Sequence, residues 1–401
     1  MLAIHVSDTH LGAMPFGLFS RAKDIYSSFA ETIEIALKER ASFYIHSGDF
    51  FDLPSPPPEA YLVAYRNLRK LKEKNIKVIV TSGQHDTPKR VAMSPLQMLL
   101  DLGVIDVLSV NEIIQREFEI ENRYVNFICV PYPARTSIPT LSRPLKEYHR
   151  NILIAHLLLK ELGIPSEQAD ISLSQIPNWL NYIALGDYHI KTELRHGAAY
   201  AVYPGATEIL KMNECCDKYV VLIDLSTDFP KPQYVKLSNV RPWIIVSYRD
   251  MQSLSNMLSN RLSEVKKMNL KQPIVVVNVL NSSIEPLEKY LALLRDRGEI
   301  EYFRLVYSDR SATENDDLLK TRTVIEELEY INVPKLIEQI VGDTQLAHFL
   351  TNLVKEPSKA IAKSIVDYLR EKPEVAKQIE GIAKLNILTN YMKSEHSRNE
   401  S

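Results

Sequence analysis

The sequence has few cysteines, no long apolar run and no surplus of positive charge. Each shortage removes a class of protein. The 401 residues include three cysteines, Cys129, Cys215 and Cys216. Their spacing gives neither a disulfide framework nor a zinc site, which suits a reducing intracellular compartment. No stretch approaches the roughly 18 uncharged apolar residues of a membrane span, so no membrane partner is expected. The start of the chain lacks the basic flank of a secretory leader, and its short apolar run ends in Ser7-Asp8. We therefore expect a cytoplasmic protein. With 48 Lys and Arg against 50 Asp and Glu, the net charge is −2. A polyanionic partner would have to be met by local basic patches or by bound cations.

The composition is otherwise that of a globular protein, 45% hydrophobic and 24% charged, and the length predicts two or three domains. Its β-type segments repeatedly end in polar residues. An apolar strand at 2–7 runs into Asp8-Thr9-His10. In an extended segment, residues two apart share a side, so Asp8 and His10 are expected to point the same way. A helix follows at 21–40, with Ile25, Phe29, Ile33 and Leu37 at spacing four. The strand at 43–46 ends in Ser47-Gly48-Asp49-Phe50-Phe51-Asp52. After a proline-rich connector and a helix at 59–73, the strand at 76–80 ends in Ser82-Gly83-Gln84-His85-Asp86. Such strand–helix repetition predicts a parallel sheet with its working loops at the carboxyl ends of the strands. Further strands are expected at 104–110, 113–120, 125–130, 151–155, 182–185, 200–203 and 219–225. Two of these end in His156 and in Gly186-Asp187-Tyr188-His189. The expected fold is an α/β sandwich of two sheets flanked by helices, with function at one rim.

From 242 the pattern becomes a small β-α-β-α-β unit, to about 307, with no catalytic cluster. A polar stretch follows, then helices at 333–341, 345–354, 358–370 and 374–391. Helices this short are marginal alone. They either pack on their own domain or dock on another protein.

Asp8, His10, Asp49, Gln84, His85, Asp86, His156, Asp187 and His189 come from five strand ends. A mixed Asp/His set without cysteine suits Mn, Fe or Zn better than Ca or a structural zinc. One bridging carboxylate with three more ligands per ion makes a dinuclear centre. Two divalent ions roughly 3.5 to 4 Å apart can activate a water and clamp both oxygens of an in-line phosphoryl displacement. His5 and His46, inside strands, read as core residues.

Asp8-x-His10, Gly48-Asp49-x-x-Asp52, Gly83-Gln84-His85-Asp86, His156 and Gly186-Asp187-x-His189 resemble the five motifs of the calcineurin-like metallophosphoesterases. Val6-Ser7-Asp8-Thr9-His10-Leu11-Gly12 and Tyr203-Pro204-Gly205-Ala206-Thr207-Glu208 resemble most the Mre-eleven/SbcD-type double-strand-break repair nucleases. The resemblance implies that Asp8, His10 and His189 hold one ion, that Asp49 bridges, and that Gln84, His156 and Asp187 hold the other. It places His85 beside the scissile phosphate, with Asp86 orienting its ring. It implies two Mn2+, with Mg2+ as an alternative, and a 3′–5′ exonuclease and single-strand or hairpin endonuclease that works as a homodimer with a Rad-fifty-type ATPase. It divides the chain into a nuclease domain at 1–240, a DNA-capping domain at 241–307, a linker at 308–330 and an ATPase-docking helical segment at 331–401. DNA contacts are expected from Arg21, Lys23, Lys89 and Arg90, with Arg66, Arg69 and Lys70 as further candidates.

Two positions depart from the family pattern: Gln84 stands where asparagine is usual, and Asp187 where histidine is usual. Both fall on the same implied ion, where a longer arm and a shorter one can compensate. The competing readings are a catalytically weakened DNA-binding scaffold and a small-molecule phosphodiesterase.

Overall fold

Apolar residues alternate sides along the first strands, and two sheets are built on that alternation. The computed structural model describes residues 1–307, apart from 89–92, 121, 166 and 280–284. Beyond 307 it describes 343, 345–346, 348–350, 364–365, 367–369 and 372–373. Strands β1 (Leu2–Val6), β2 (Phe43–Ser47) and β3 (Lys77–Thr81) are parallel neighbours. They are buried on both faces, as parallel strands usually are. Ile4, Val6, Tyr44, Val78 and Val80 pack with Ile25, Phe29 and Ile33 of α1 (Phe19–Lys38) and with Ala64, Leu68 and Leu71 of α2 (Pro58–Glu73). Ala3, Phe43, Ile45 and Ile79 point the other way, into the space between the sheets.

The short helix α3 (Pro95–Asp101) leads to β4 (Val107–Ser109), which pairs with β3. The second sheet comprises β5 (Ile114–Ile120), β6 (Arg123–Val130), β7 (Arg150–His156), β8 (Tyr182–Gly186), β9 (Thr192–His196) and β10 (Ala199–Tyr203). The first is closed by β11 (Tyr219–Asp224) and β12 (Gln233–Lys236), giving the orders β12-β11-β1-β2-β3-β4 and β5-β6-β7-β8-β10-β9. Phe127, Cys129, Ile152, Ile154 and Tyr182 supply the second sheet's share of the core between them. This is the expected two-sheet sandwich flanked by helices.

A third, parallel sheet of order β13-β14-β15 follows: β13 (Trp243–Tyr248), α4 (Met251–Lys267), β14 (Ile274–Val279), α5 (Glu285–Asp296) and β15 (Tyr302–Tyr307). It has its own core around Val246, Leu254, Leu258, Val277 and Leu291. Ion pairs tie its near edge to α1. Arg241 and Lys271 both reach the buried Asp24, at 2.5 and 2.9 Å, and Arg241 also meets Glu301 at 3.3 Å.

Four elements differ from expectation. The strand predicted at 104–110 is shorter, because Asp106 turns its carboxylate back onto the Val78 N–H and onto Lys72 and Lys77. The edge strands β9 and β12 and the seven-residue α3 were not foreseen. Half-exposed edges and a helix under two turns carry little periodic signal. The linker expected at 308–330 lies outside the described residues, as does most of the predicted helical tail. Within the second unit, 308–401, Leu346, Ile365 and Tyr368 cluster with Phe349, Leu350 and Leu369. Tyr368 donates from Oη to Asp343 at 3.0 Å. Among the described residues, no helix is long and apolar enough to cross a membrane.

Candidate metal centre

β1 stops at Val6, two residues before Asp8. Asp8 (φ 51°) and His10 (φ 43°) have left-handed backbone, so strand alternation does not aim them. A loop-to-loop ladder does. The N–H groups of Asp8, His10 and Leu11 donate to the carbonyls of Gly48, Asp49 and Phe50 at 3.0, 3.0 and 2.9 Å. Asp49 (φ 51°) and Asp187 (φ 91°) are left-handed as well, a region that Asp tolerates better than most side chains. Two glycines allow the approach. A Cβ on Gly48 would lie 2.3 Å from His156 Nδ1, and one on Gly83 would lie 2.1 Å from Asp49 Oδ1.

The side chains converge on Asp49. Its Oδ1 accepts from the His85 N–H at 2.9 Å. Its Oδ2 lies 3.3 Å from His156 Nε2, 3.8 Å from His10 Nε2 and 4.0 Å from His85 Nε2. Asp8 Oδ1 is 3.8 Å from His189 Nε2 and accepts from the Asp187 N–H at 3.1 Å. Asp187 Oδ1 is 3.8 Å from His156 Nε2. Ligand atoms of Asp8, His10 and His189 lie within 4.8 Å of one another, and so do those of Asp8, Asp49 and His156.

The donor chemistry fits divalent cations. Each imidazole commits Nδ1 to an oxygen: His10 to Asp52 at 3.2 Å, His189 to Glu214 at 2.6 Å, and His156 to the Ser47 carbonyl at 2.8 Å. That fixes the tautomer and turns each Nε2 lone pair inward, the usual arrangement of metal-binding histidine. His156 Nε2 is buried with no hydrogen-bond partner, and His10 Nε2 faces His189 Nε2 at 3.2 Å. Two ring nitrogens that close are held by a shared proton or by a cation between them, and the carboxylates around them favour either positive charge. The acidities report the same pressure. Burial and the charges of Asp49 and Asp8 push Asp187 up to about 6, against the pull of His156. Burial opposes a charged His189, yet Glu214 and Asp8 raise it to about 8.

Several expectations need correction. Asp86 does not orient His85. It is fully buried and accepts three backbone N–H bonds, from Phe50 at 3.0 Å, Phe51 at 2.8 Å and Gly83 at 3.0 Å. His85 is instead held through Nδ1 by the Asp52 carbonyl at 2.6 Å. Arg21 is not available to DNA. It is fully buried, donating to Asp24 at 2.7 Å, Glu208 at 3.1 Å and the Ile209 carbonyl at 2.6 Å. Lys23 is exposed, 4.9 Å above the Phe19 ring. Arg69 and Lys70 are paired with Glu73 and Glu34. Lys89 and Arg90 lie outside the described residues. Gln84 is exposed on the cleft beside the centre, a space of about 560 Å³ also lined by Met14, Asp52, His85 and Lys211. His5 and His46 lie in the core, on Tyr182 and Ser47 and on Thr9 respectively.

Two residues of the site were missed as such. Asp52 closes the Gly48-Asp49-x-x-Asp52 motif, so a signal for it existed. Glu214 had none, since it reaches His189 from a turn 25 residues away.

Comparison with known proteins gives the same direction. Residues 1–210 match the calcineurin-like phosphoesterase family. The "DNA double-strand break repair protein Mre11" of Sulfurisphaera tokodaii is 31% identical, over 83% of this chain and 88% of that protein. The protein of the same description from Sulfolobus acidocaldarius is 30% identical, over 80% and 86%. The chain thus belongs to the calcineurin-like phosphoesterases and, within them, to the Mre11 family, and it is a metal-dependent phosphodiesterase.

Proposed function

We propose that this protein is a Mn2+-dependent nuclease that processes DNA double-strand-break ends, acting as a 3′–5′ exonuclease on duplex ends and an endonuclease on single strands and hairpins. The observation that carries this is the set of inward Nε2 lone pairs around Asp49, with one further histidine, His85, on the open side. Asp8, His10 and His189 would hold one ion and Gln84, His156 and Asp187 the other, with Asp49 shared. Bound divalent ions supply a polarised phosphate and a water of lowered pKa.

The protein's own groups do the rest. The Asp52 carbonyl accepts the Nδ1 proton of His85, which leaves Nε2 at the mouth of the site on a side chain 38% exposed. From there the imidazolium form of His85 donates its Nε2 proton to the phosphate or to the leaving 3′ oxygen, keeping the Nδ1 proton on the Asp52 carbonyl. Lys23 contributes a salt-sensitive, sequence-independent phosphate contact.

The wider assignment follows the family. The nuclease domain is 1–240, the capping domain 241–307, the linker 308–330, and 331–401 docks a Rad-fifty-type ATPase. Leu62 of α2, Met98 of α3 and the adjoining Met93 and Leu102 are 37 to 67% exposed, an apolar surface that suits a homodimer. The weakened-scaffold reading draws on one observation, that the Gln84 amide is exposed and makes no hydrogen bond to the described residues.

An assay of purified protein with Mn2+, Mg2+ and no metal separates these readings. The substrates are duplex ends, hairpins and bis-p-nitrophenyl phosphate. Wild type is expected to cleave all three in Mn2+, and Asp8→Ala none. His85→Ala should lose about a hundredfold or more on DNA. It should lose much less on the nitrophenyl ester, whose leaving group needs no proton. Equal losses on both substrates would remove His85 as the acid. Activity that survives both substitutions would place the site elsewhere, and an inert wild type that binds DNA would favour the scaffold.

A further inference from the structure

Away from the metal centre, Phe16 combines an unusual backbone with a built seat. It lies in the 3-10 turn Pro15–Gly17 between His10 and α1, with φ 60° and ψ 15°. An aromatic residue seldom adopts that left-handed conformation unless its surroundings hold it there. The surroundings are the small third sheet. The Phe16 ring stacks on Tyr302 of β15, with centroids 5.1 Å apart and planes at 24°. It lies 5.5 Å from the Trp243 ring of β13. The Arg304 guanidinium stands 5.8 Å from its centroid.

The other side of the same loop is a wall of the catalytic cleft. Ala13, Met14 and Pro15 line that cleft with His10, and Met14 is 49% exposed. Gly12 and Gly17, with φ 98° and 68°, flank the segment. The wall therefore has a pliable residue at each end and one aromatic anchor between them.

We propose that Phe16 is a positioning residue. Seated on the third sheet, it fixes the Met14-Pro15 wall at the height that a polynucleotide needs to lie in register over the metal centre. A small diester meets the metal centre alone and does not use the wall. Discrimination between the two substrate sizes is thus set by a contact remote from the reacting atoms. The inference rests on the nuclease reading above.

The test measures kcat and KM of the full chain on a DNA duplex and on bis-p-nitrophenyl phosphate. Phe16→Asn keeps a residue that tolerates positive φ but removes the ring. Tyr302→Ala removes the same stack from the opposite side and leaves the loop sequence intact. Both should raise KM for the duplex about tenfold, while kcat/KM on the small ester stays within about twofold. Phe16→Tyr should restore wild-type behaviour, and the double variant Phe16→Asn/Tyr302→Ala should be no worse than either single one. Unchanged DNA kinetics, equal losses on both substrates, or failure of Phe16→Tyr to restore KM would overturn the proposal. A wild type that cleaves the small ester but no DNA overturns the nuclease reading instead.

Discussion

Asp49→Ala is expected to lose at least about a thousandfold in kcat/KM on both DNA and bis-p-nitrophenyl phosphate in Mn2+, since a bound ion contributes several kcal/mol to the transition state. The reason is its place. Asp8, His10 and His189 form one group around the centre and His156 with Asp187 another, while Asp49 Oδ2 faces nitrogens of both, at 3.8 Å from His10 and 3.3 Å from His156. Asp8 Oδ1 also lies near both groups, 3.8 Å from His189 Nε2 and 4.0 Å from His156, but on the Nδ1 side of the His156 ring. Alanine in place of Asp49 removes an anion from each group and leaves three inward imidazoles with less charge to balance a dication. Metal content after dialysis should fall together with activity, and added Mn2+ should not restore the rate. A variant that keeps both its metal and most of its rate would show that Asp49 is not shared.

Asp86→Ala should be the largest loss of stability among the site residues. The carboxylate is sealed from solvent and accepts the N–H groups of Phe50, Phe51 and Gly83 at once. Each buried donor left without a partner costs about 1–3 kcal/mol. Losing three across two adjoining loops therefore corresponds to a fall in Tm of about 10 °C or more in a domain of this size. Asp86→Asn keeps one acceptor oxygen and should fall in between. The pH profile of the surviving activity should keep its shape, because Asp86 does not touch the His85 ring. Thermal melts followed by pH–rate curves check both parts. A normal Tm with a displaced pH profile would return Asp86 to the role of orienting His85.

The mistaken assignment of Asp86 shows what motif reading leaves out. The motif Gly83-Gln84-His85-Asp86 identified the right loop, but the partners of Asp86 are backbone N–H groups, that of Gly83 in its own loop and those of Phe50 and Phe51 in the neighbouring one, which no side-chain pattern encodes. Asp8 and His10 were placed together for a reason that does not apply. They meet Asp49 because the loops after β1 and β2 run side by side, and the strand has already ended. Arg21 could have been read correctly. It precedes Ile25, Phe29 and Ile33 at the same spacing of four, so the helical period puts it on the buried face, where Asp24 and Glu208 hold its charge. Glu214 was beyond reach, because its contact with His189 depends on the path of the chain between β10 and β11. The two-sheet sandwich was legible because its buried strands are apolar along their length. The edge strands β9 and β12 were not, because they are half polar.

Anomalous scattering from a crystal grown with Mn2+ reads the donor set without passing through activity. Two peaks are expected, one against Asp8, His10 and His189 and one against Gln84, His156 and Asp187, with Asp49 touching both. One peak, or two peaks away from Asp49, would contradict a dinuclear centre built from these five loops.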